Sequence, residues 1–293
     1  MAKINKNDYE LFRLLVEYRL LTVEQLSILL QKSRQGIYRR VGDICRMGLV
    51  ASRDAYGNKK GRPEKVFYIT QKGFKCLQKK YSDQKVKFEY IDGSSVKYIG
   101  HQMLLNWFRV GIVKAQREIE GIETKILTYG ISDYAQVDTE TGEAVQFVPD
   151  AVIMLKDRSR NKAVLFFLEV DCGTEAIASP KRGHEDLRQK IINYQTYFLS
   201  ERYKKYEKIF RSGFAGFRLL MLTNTEQRFA AICRLIREMS TDRADSDINF
   251  IWTSHQKPMF DKGVSGKIWT KGGNTMLPVD SIFDSYAKSI QIR

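Results

Sequence analysis

The chain has 293 residues, 43% of them hydrophobic, and a formal charge of +15, a size that supports two ordinary domains. Its longest apolar runs, such as Ala163 to Leu168 and Leu219 to Leu222, fall far short of the roughly 20 residues a membrane span needs. The polar start MAKINKNDYE lacks the apolar run of a secretory signal, so a cytoplasmic protein with no membrane partner is expected.

The charge is unevenly placed. Residues 1–81 hold 18 Lys and Arg against 7 Asp and Glu, which is +11, and only +4 remains for the other 212 residues. Positive charge concentrated in one small segment fits a phosphate-bearing partner better than general solubilisation does.

In chain order, Leu11, Leu14, Leu15 and Tyr18 recur at helical spacing, and a first helix is expected from Asp8 to Tyr18 with Asn7 or Asp8 as its cap. Thr22 followed by Gln25 reads as a capping box for a short second helix bearing Leu26, Leu29 and Leu30. After Gln31-Lys32-Ser33, a third helix is expected to run to about Met47. Ile37, Val41 and Ile44 face inward on it, and Gly48 provides a left-handed stop. Two β-rich runs, 49–53 and 66–70, flank a basic glycine-containing tip at 56–63, the pattern of a wing. Thr70 then caps a fourth helix through Tyr81.

These elements predict an N-terminal winged helix-turn-helix over 1–81 that binds double-stranded DNA. In such a unit the third helix enters the major groove and the wing lies against the neighbouring backbone. Arg34, Gln35, Tyr38, Arg39 and Arg40 are the expected contacts on the helix, because Arg and Gln can pair bidentately with guanine and adenine. Lys59, Lys60 and Arg62 are the expected contacts at the wing tip. Tyr38 also fits a packing role, and a winged unit that mediates protein contacts alone stays open.

Residues 82–96 read as a linker, 97–255 as a second, mixed α/β domain, and 256–293 as a tail whose conformation the sequence does not give. A long helix is expected from about Val96 to Glu118, with Ile99, Met103, Trp107, Val110 and Val113 as its apolar stripe. Strands are expected at 122–131, 145–155, 163–171, 217–223 and 248–253, and helices at 185–202 and 226–239. The run AVLFFLEVD at 163–171 is apolar enough to be buried on both faces.

Cys45, Cys76, Cys172 and Cys233 have no Cys-x-x-Cys spacing, and His101, His184 and His255 stand far apart, so reduced structural thiols and no zinc site are expected. His101 reads as a packed core histidine and Gly173 as a turn residue. Chemistry concentrates instead on carboxylates. Glu169 and Asp171, two apart on a strand, point to one face, and Asp150 joins them if its own strand lies alongside. Such a cluster needs a cation, which points to Mg²⁺ or Mn²⁺ and metal-assisted phosphodiester hydrolysis. The structural alternative is a set of carboxylates that cap a turn or pair with Lys190.

The order helix, three strands, helix, strand with Asp150 and Glu169 resembles the PD-(D/E)xK nuclease fold. More narrowly, the chain from about residue 8 to 240 resembles the replication-relaxation family of plasmid and mobile-element proteins. That resemblance rests on the winged helix, His101, Phe147-Val148-Pro149-Asp150-Ala151, Phe167-Leu168-Glu169-Val170-Asp171, Gly173-Thr174-Glu175, Lys190 and Tyr194. It implies an α+β protein of a bacterial plasmid or mobile element acting in replication, relaxation or transfer. Its candidate partners are double-stranded DNA, a second copy of the chain, and replication or transfer proteins. The nuclease pattern places Lys two residues after Glu, where this chain has Asp171; Lys190, or Lys181, could supply the missing cation. Two readings follow: a non-catalytic nuclease-like domain, or a metal-dependent endonuclease with Asp150, Glu169 and Asp171 as metal ligands and Lys190 completing the catalytic set.

Overall fold

The computed structural model describes residues 3–55, 64–82, 89–128, 131, 133–137, 144–173, 175–177, 186–242 and 248–284. The fold is α+β, and the chain divides into two compact units, Met1–Val110 and Gly111–Arg293.

The first unit opens with α1 (Lys6–Tyr18) and β1 (Leu21–Thr22), followed by α2 (Val23–Leu30) and α3 (Arg34–Arg46). β2 (Val50–Asp54), β3 (Lys65–Ile69) and α4 (Gln71–Lys80) complete its first part. The cap of α1 is Asn5 rather than Asn7 or Asp8: its Oδ1 accepts from the Asn7 and Asp8 amides, while Asp8 reaches back to the Asn5 amide. The Thr22 and Gln25 capping box forms as expected, with each side chain taking the other's amide. Gly48, at φ +71, ends the third-helix turn in the left-handed region that suits glycine. The three strands make an antiparallel sheet in the order β1-β3-β2.

The segment expected as a linker packs on this unit. Tyr90 lies against Phe74 with ring centroids 5.2 Å apart, Arg53 donates to the Ser94 carbonyl, and Gly93 lies so close to Tyr68 that a Cβ would meet the Tyr68 side chain at 2.3 Å. The unit extends into α5 (Ile99–Glu118), where Met103 joins Leu20, Ala55 and Val66 in one core cluster. Asn106 donates to the Tyr18 carbonyl, and the Arg109 guanidinium lies over the Tyr18 ring at 3.8 Å. The boundary between units therefore falls at 110, because these contacts begin well before the helix ends.

After α5 the second unit runs through β4 (Ile122–Leu127), a two-stranded pair of β5 (Asp133–Val137) and β6 (Ala144–Phe147), β7 (Ala151–Asp157) and β8 (Lys162–Asp171). Next come α6 (Leu187–Leu199), a 3₁₀ turn at Arg202–Lys204, α7 (Lys205–Phe210) and β9 (Phe217–Thr223). α8 (Glu226–Asp242), β10 (Ile251–His255), α9 (Gln256–Lys262) and β11 (Thr270–Lys271) follow. One six-stranded sheet has the order β11-β10-β9-β8-β7-β4. β4, β7 and β8 form an antiparallel meander, β9 and β10 add in parallel, and β11 closes the far edge antiparallel. A mixed sheet of this kind fits the nuclease-like fold expected above.

The single strand expected at 145–155 is two strands. β6 pairs with β5, and the chain turns at Val148-Pro149-Asp150 before β7 enters the main sheet. Asp150 therefore lies at the mouth of β7 rather than within a strand. The tail also acquires structure: Trp269, Ile282 and Phe283 are buried, so this stretch contributes to the core of this unit. β8 is buried from Leu165 to Asp171 on both faces, as its apolar run predicts. On one face Phe167 centres an aromatic cluster, 4.7 Å from Phe217, 5.5 Å from Tyr206 and 5.7 Å from both Tyr194 and Tyr197. Each edge-on pair adds about 0.5–1.5 kcal/mol beyond area burial, so the cluster fixes α6 and α7 over the sheet.

Candidate functional site

On α3 the division between faces is sharp. Ile37, Val41 and Ile44 are buried, while Arg34, Gln35, Tyr38 and Arg39 are exposed, Tyr38 at 57%. A ring left that open is not packed in the core of this unit. Arg34, Gln35 and Tyr38 line an open groove of about 680 Å³ together with Glu24, Lys65 and Phe67. Arg34 is drawn to Glu24, Nη1 to Oε2 3.2 Å, with both side chains well exposed. Burial pushes the Glu64 carboxyl in the same groove up, with Arg34 opposing.

Arg40 behaves differently from its neighbours. Its Nε and Nη2 donate to Asp8, and Nη2 also donates to the Lys3 carbonyl, so it ties α3 to the start of α1. Lys59, Lys60 and Arg62 lie outside the described residues.

In the second unit, Glu169 and Asp171 end β8 on one face, as their spacing predicts. Glu169 is 5% exposed; its Oε1 accepts from the Tyr194 hydroxyl at 2.6 Å and its Oε2 from Lys190 Nζ at 3.2 Å. Lys190 reaches Glu175 as well, at 2.9 Å. Asp171 accepts from Arg228 Nε at 2.8 Å and from the Gly173 amide at 2.7 Å. Arg228 continues to the Glu175 carbonyl, closing the turn after β8 onto α8. Asp150 Oδ2 accepts from the Val170 amide at 2.7 Å, and its own amide donates to Leu168, so it does join the other two carboxylates at the end of the sheet.

Burial raises the Glu169 carboxyl to about 7 against the pull of Lys190. Burial would lower Lys190, but Glu169 and Glu175 outweigh it and hold the ammonium charged. Tyr194 is kept protonated by burial and by the adjacent Glu169, and burial lifts the Cys172 thiol to about 11. Each carboxylate has a donor within the fold, and among the described residues no group of three or more His, Cys, Asp or Glu is arranged to hold a metal ion. Glu169 in particular spends one oxygen on a hydroxyl and the other on an ammonium. Among the described residues, this donor set does not fit a divalent cation.

The replication-relaxation family model matches residues 12–212, more than two thirds of the chain. The chain belongs to the replication-relaxation family. Comparison with curated proteins and with solved structures finds no match. The replication-relaxation match runs from α1 through α7 and takes in Asp150, Glu169, Asp171 and Lys190; Arg228 lies beyond it. Arg228 is also the site residue that the sequence reading missed. The available signal was topological: a strand parallel to β8 must deliver the first turn of its helix beside the end of β8, where Asp171 sits.

Proposed function

We propose that this chain binds double-stranded DNA through its first unit, in the replication or relaxation of a bacterial plasmid or mobile element, and that its second unit is a non-catalytic nuclease-like scaffold. The observation that carries the reading is α3, whose apolar residues are all inward while Arg34, Gln35, Tyr38 and Arg39 are all outward. The order helix, strand, helix, helix, strand, strand with a three-stranded antiparallel sheet supports a winged helix-turn-helix. In that arrangement α3 lies in the major groove, Arg34 and Gln35 meet base edges, and the Lys59, Lys60 and Arg62 tip follows the backbone. A second copy of the chain on a symmetric site, and replication or transfer proteins, are the further partners of this reading, and the cytoplasm is its compartment.

The scaffold reading is supported by the cation supply. Lys190 and Arg228 neutralise Glu169 and Asp171 from neighbouring helices, so the residues that would otherwise recruit a metal are satisfied without one. Incubation of supercoiled plasmid with the full chain and Mg²⁺ or Mn²⁺ tests it. Binding without nicking is expected; nicking that E169A abolishes while the fold persists would establish the endonuclease reading instead.

A further inference from the structure

Outside both sites, the ten residues from Arg202 to Arg211 hold five cations and one carboxylate, a net +4 that equals the net charge of all 212 residues after 81. The rest of that long stretch is therefore balanced, and this short one is not.

Its placement is fixed from below. Tyr203, Tyr206 and Phe210 recur at helical spacing, are at most 3% exposed, and belong to the core cluster under α6 and α7. With that face buried, Arg202, Lys204, Lys205, Lys208 and Arg211 are all exposed. Local partners are present: Lys205 lies over the Tyr206 ring, 5.1 Å from its centroid. Glu201 pairs with Lys204 at 2.6 Å, and Glu207 is occupied by the Phe214 amide at 2.9 Å.

Helix stability does not account for this pattern. Cations near a helix C-terminus are favoured by the helix dipole, which suits Lys208 and Arg211. Arg202, Lys204 and Lys205 precede or open α7, where the same dipole disfavours positive charge. Positive charge is thus held on both ends of a short helix, against its dipole at one of them.

We propose that Arg202–Arg211 is a second contact for the phosphate backbone of double-stranded DNA, independent of sequence. The proposal rests on the reading that duplex DNA is the ligand of this chain, and its test separates the two. Fluorescence anisotropy of the full chain with a labelled duplex is measured from 50 to 300 mM KCl, on a site selected by the protein and on an unrelated duplex. In R202Q/K205Q/K208Q/R211Q the slope of log affinity against log salt is expected to shrink by about 3.6, since each of the four phosphate contacts contributes about 0.9. Affinity at 150 mM salt drops at least tenfold, while the ratio between the two duplexes and the melting temperature stay unchanged, because backbone contacts carry no sequence information. The charge-preserving K205R/K208R retains the wild-type slope.

A wild-type slope and affinity in the quadruple variant overturns the second contact and leaves the α3 reading intact. R34A/R39A distinguishes the reverse case: it loses preference for the selected site yet keeps salt-dependent binding, whose slope the quadruple change then reduces by the same amount. No salt-dependent binding of the wild type to any duplex overturns both.

Discussion

Arg40 on α3 reaches back to Asp8 on α1, with Nη2 2.5 Å and Nε 2.7 Å from the two carboxylate oxygens, and Asp8 is 1% exposed. Asp8 also accepts from the Asn5 amide, so one buried carboxylate closes a helix cap and anchors a second helix. The cation lies in the same basic run as Arg39 yet does a different job. R40A is expected to destabilise the protein by about 2–3 kcal/mol, because it leaves a buried carboxylate short of its partner. R39A should leave stability within about 0.5 kcal/mol. Urea denaturation of the two variants checks the contrast, and equal losses would contradict it.

Lys190 and Glu169 form the corresponding pair in the second unit. K190M leaves Glu169 buried without its ammonium and is expected to cost about 3 kcal/mol or more, while E169Q/K190M recovers much of that loss. A double-mutant cycle with no coupling between the two positions would show that they act separately.

The raised pKa of Glu169 has a definite sign in stability. A carboxyl near 7 in the fold and near 4.5 when unfolded binds its proton more tightly in the native state. Its contribution is full below about 4.5 and is lost as pH rises through about 7, a change on the order of 3 kcal/mol. Between pH 5 and pH 8 the wild type should therefore lose stability relative to E169Q. Urea midpoints at the two pH values measure this; parallel behaviour of the two proteins would count against a protonated Glu169.

Gly73 lies within α4, where a Cβ would come 2.1 Å from the Leu49 carbonyl oxygen. Backbone cannot yield as a flexible side chain can, so G73A should destabilise the first unit by about 2 kcal/mol or more despite the better helix propensity of alanine. A melting temperature equal to that of the wild type would mean that α4 shifts freely.

Much of the first unit was legible because its signals are local. Thr22 with Gln25, Gly48 and Thr70 mark helix ends through bonds that span three or four residues, and all three recur in the structure. Arg40 was misleading since the partner that claims it, Asp8, is 32 residues away, and periodicity reports only which face a residue occupies. Asn5 was missed as a cap because Asn7 and Asp8 offer the same chemistry one half-turn later.

In the second unit, the buried strand at 163–171 was readable from its continuous apolar run, and the shared face of Glu169 and Asp171 from the period of a strand. The break at Val148-Pro149-Asp150 was not, since both flanking segments have strand character and only pairing partners tell them apart. Lys190 was expected near the carboxylates on the strength of the helix that follows β8, whereas Arg228 depends on the parallel placement of β9.

The account turns on the exposed face of α3, and a salt-dependent binding series on R34A/Q35A/R39A tests it most directly. With a duplex selected by the wild type, this variant is expected to lose its preference over unrelated DNA while its urea midpoint stays unchanged. Undiminished discrimination by the folded variant would contradict the assignment of α3 as the element that reads DNA.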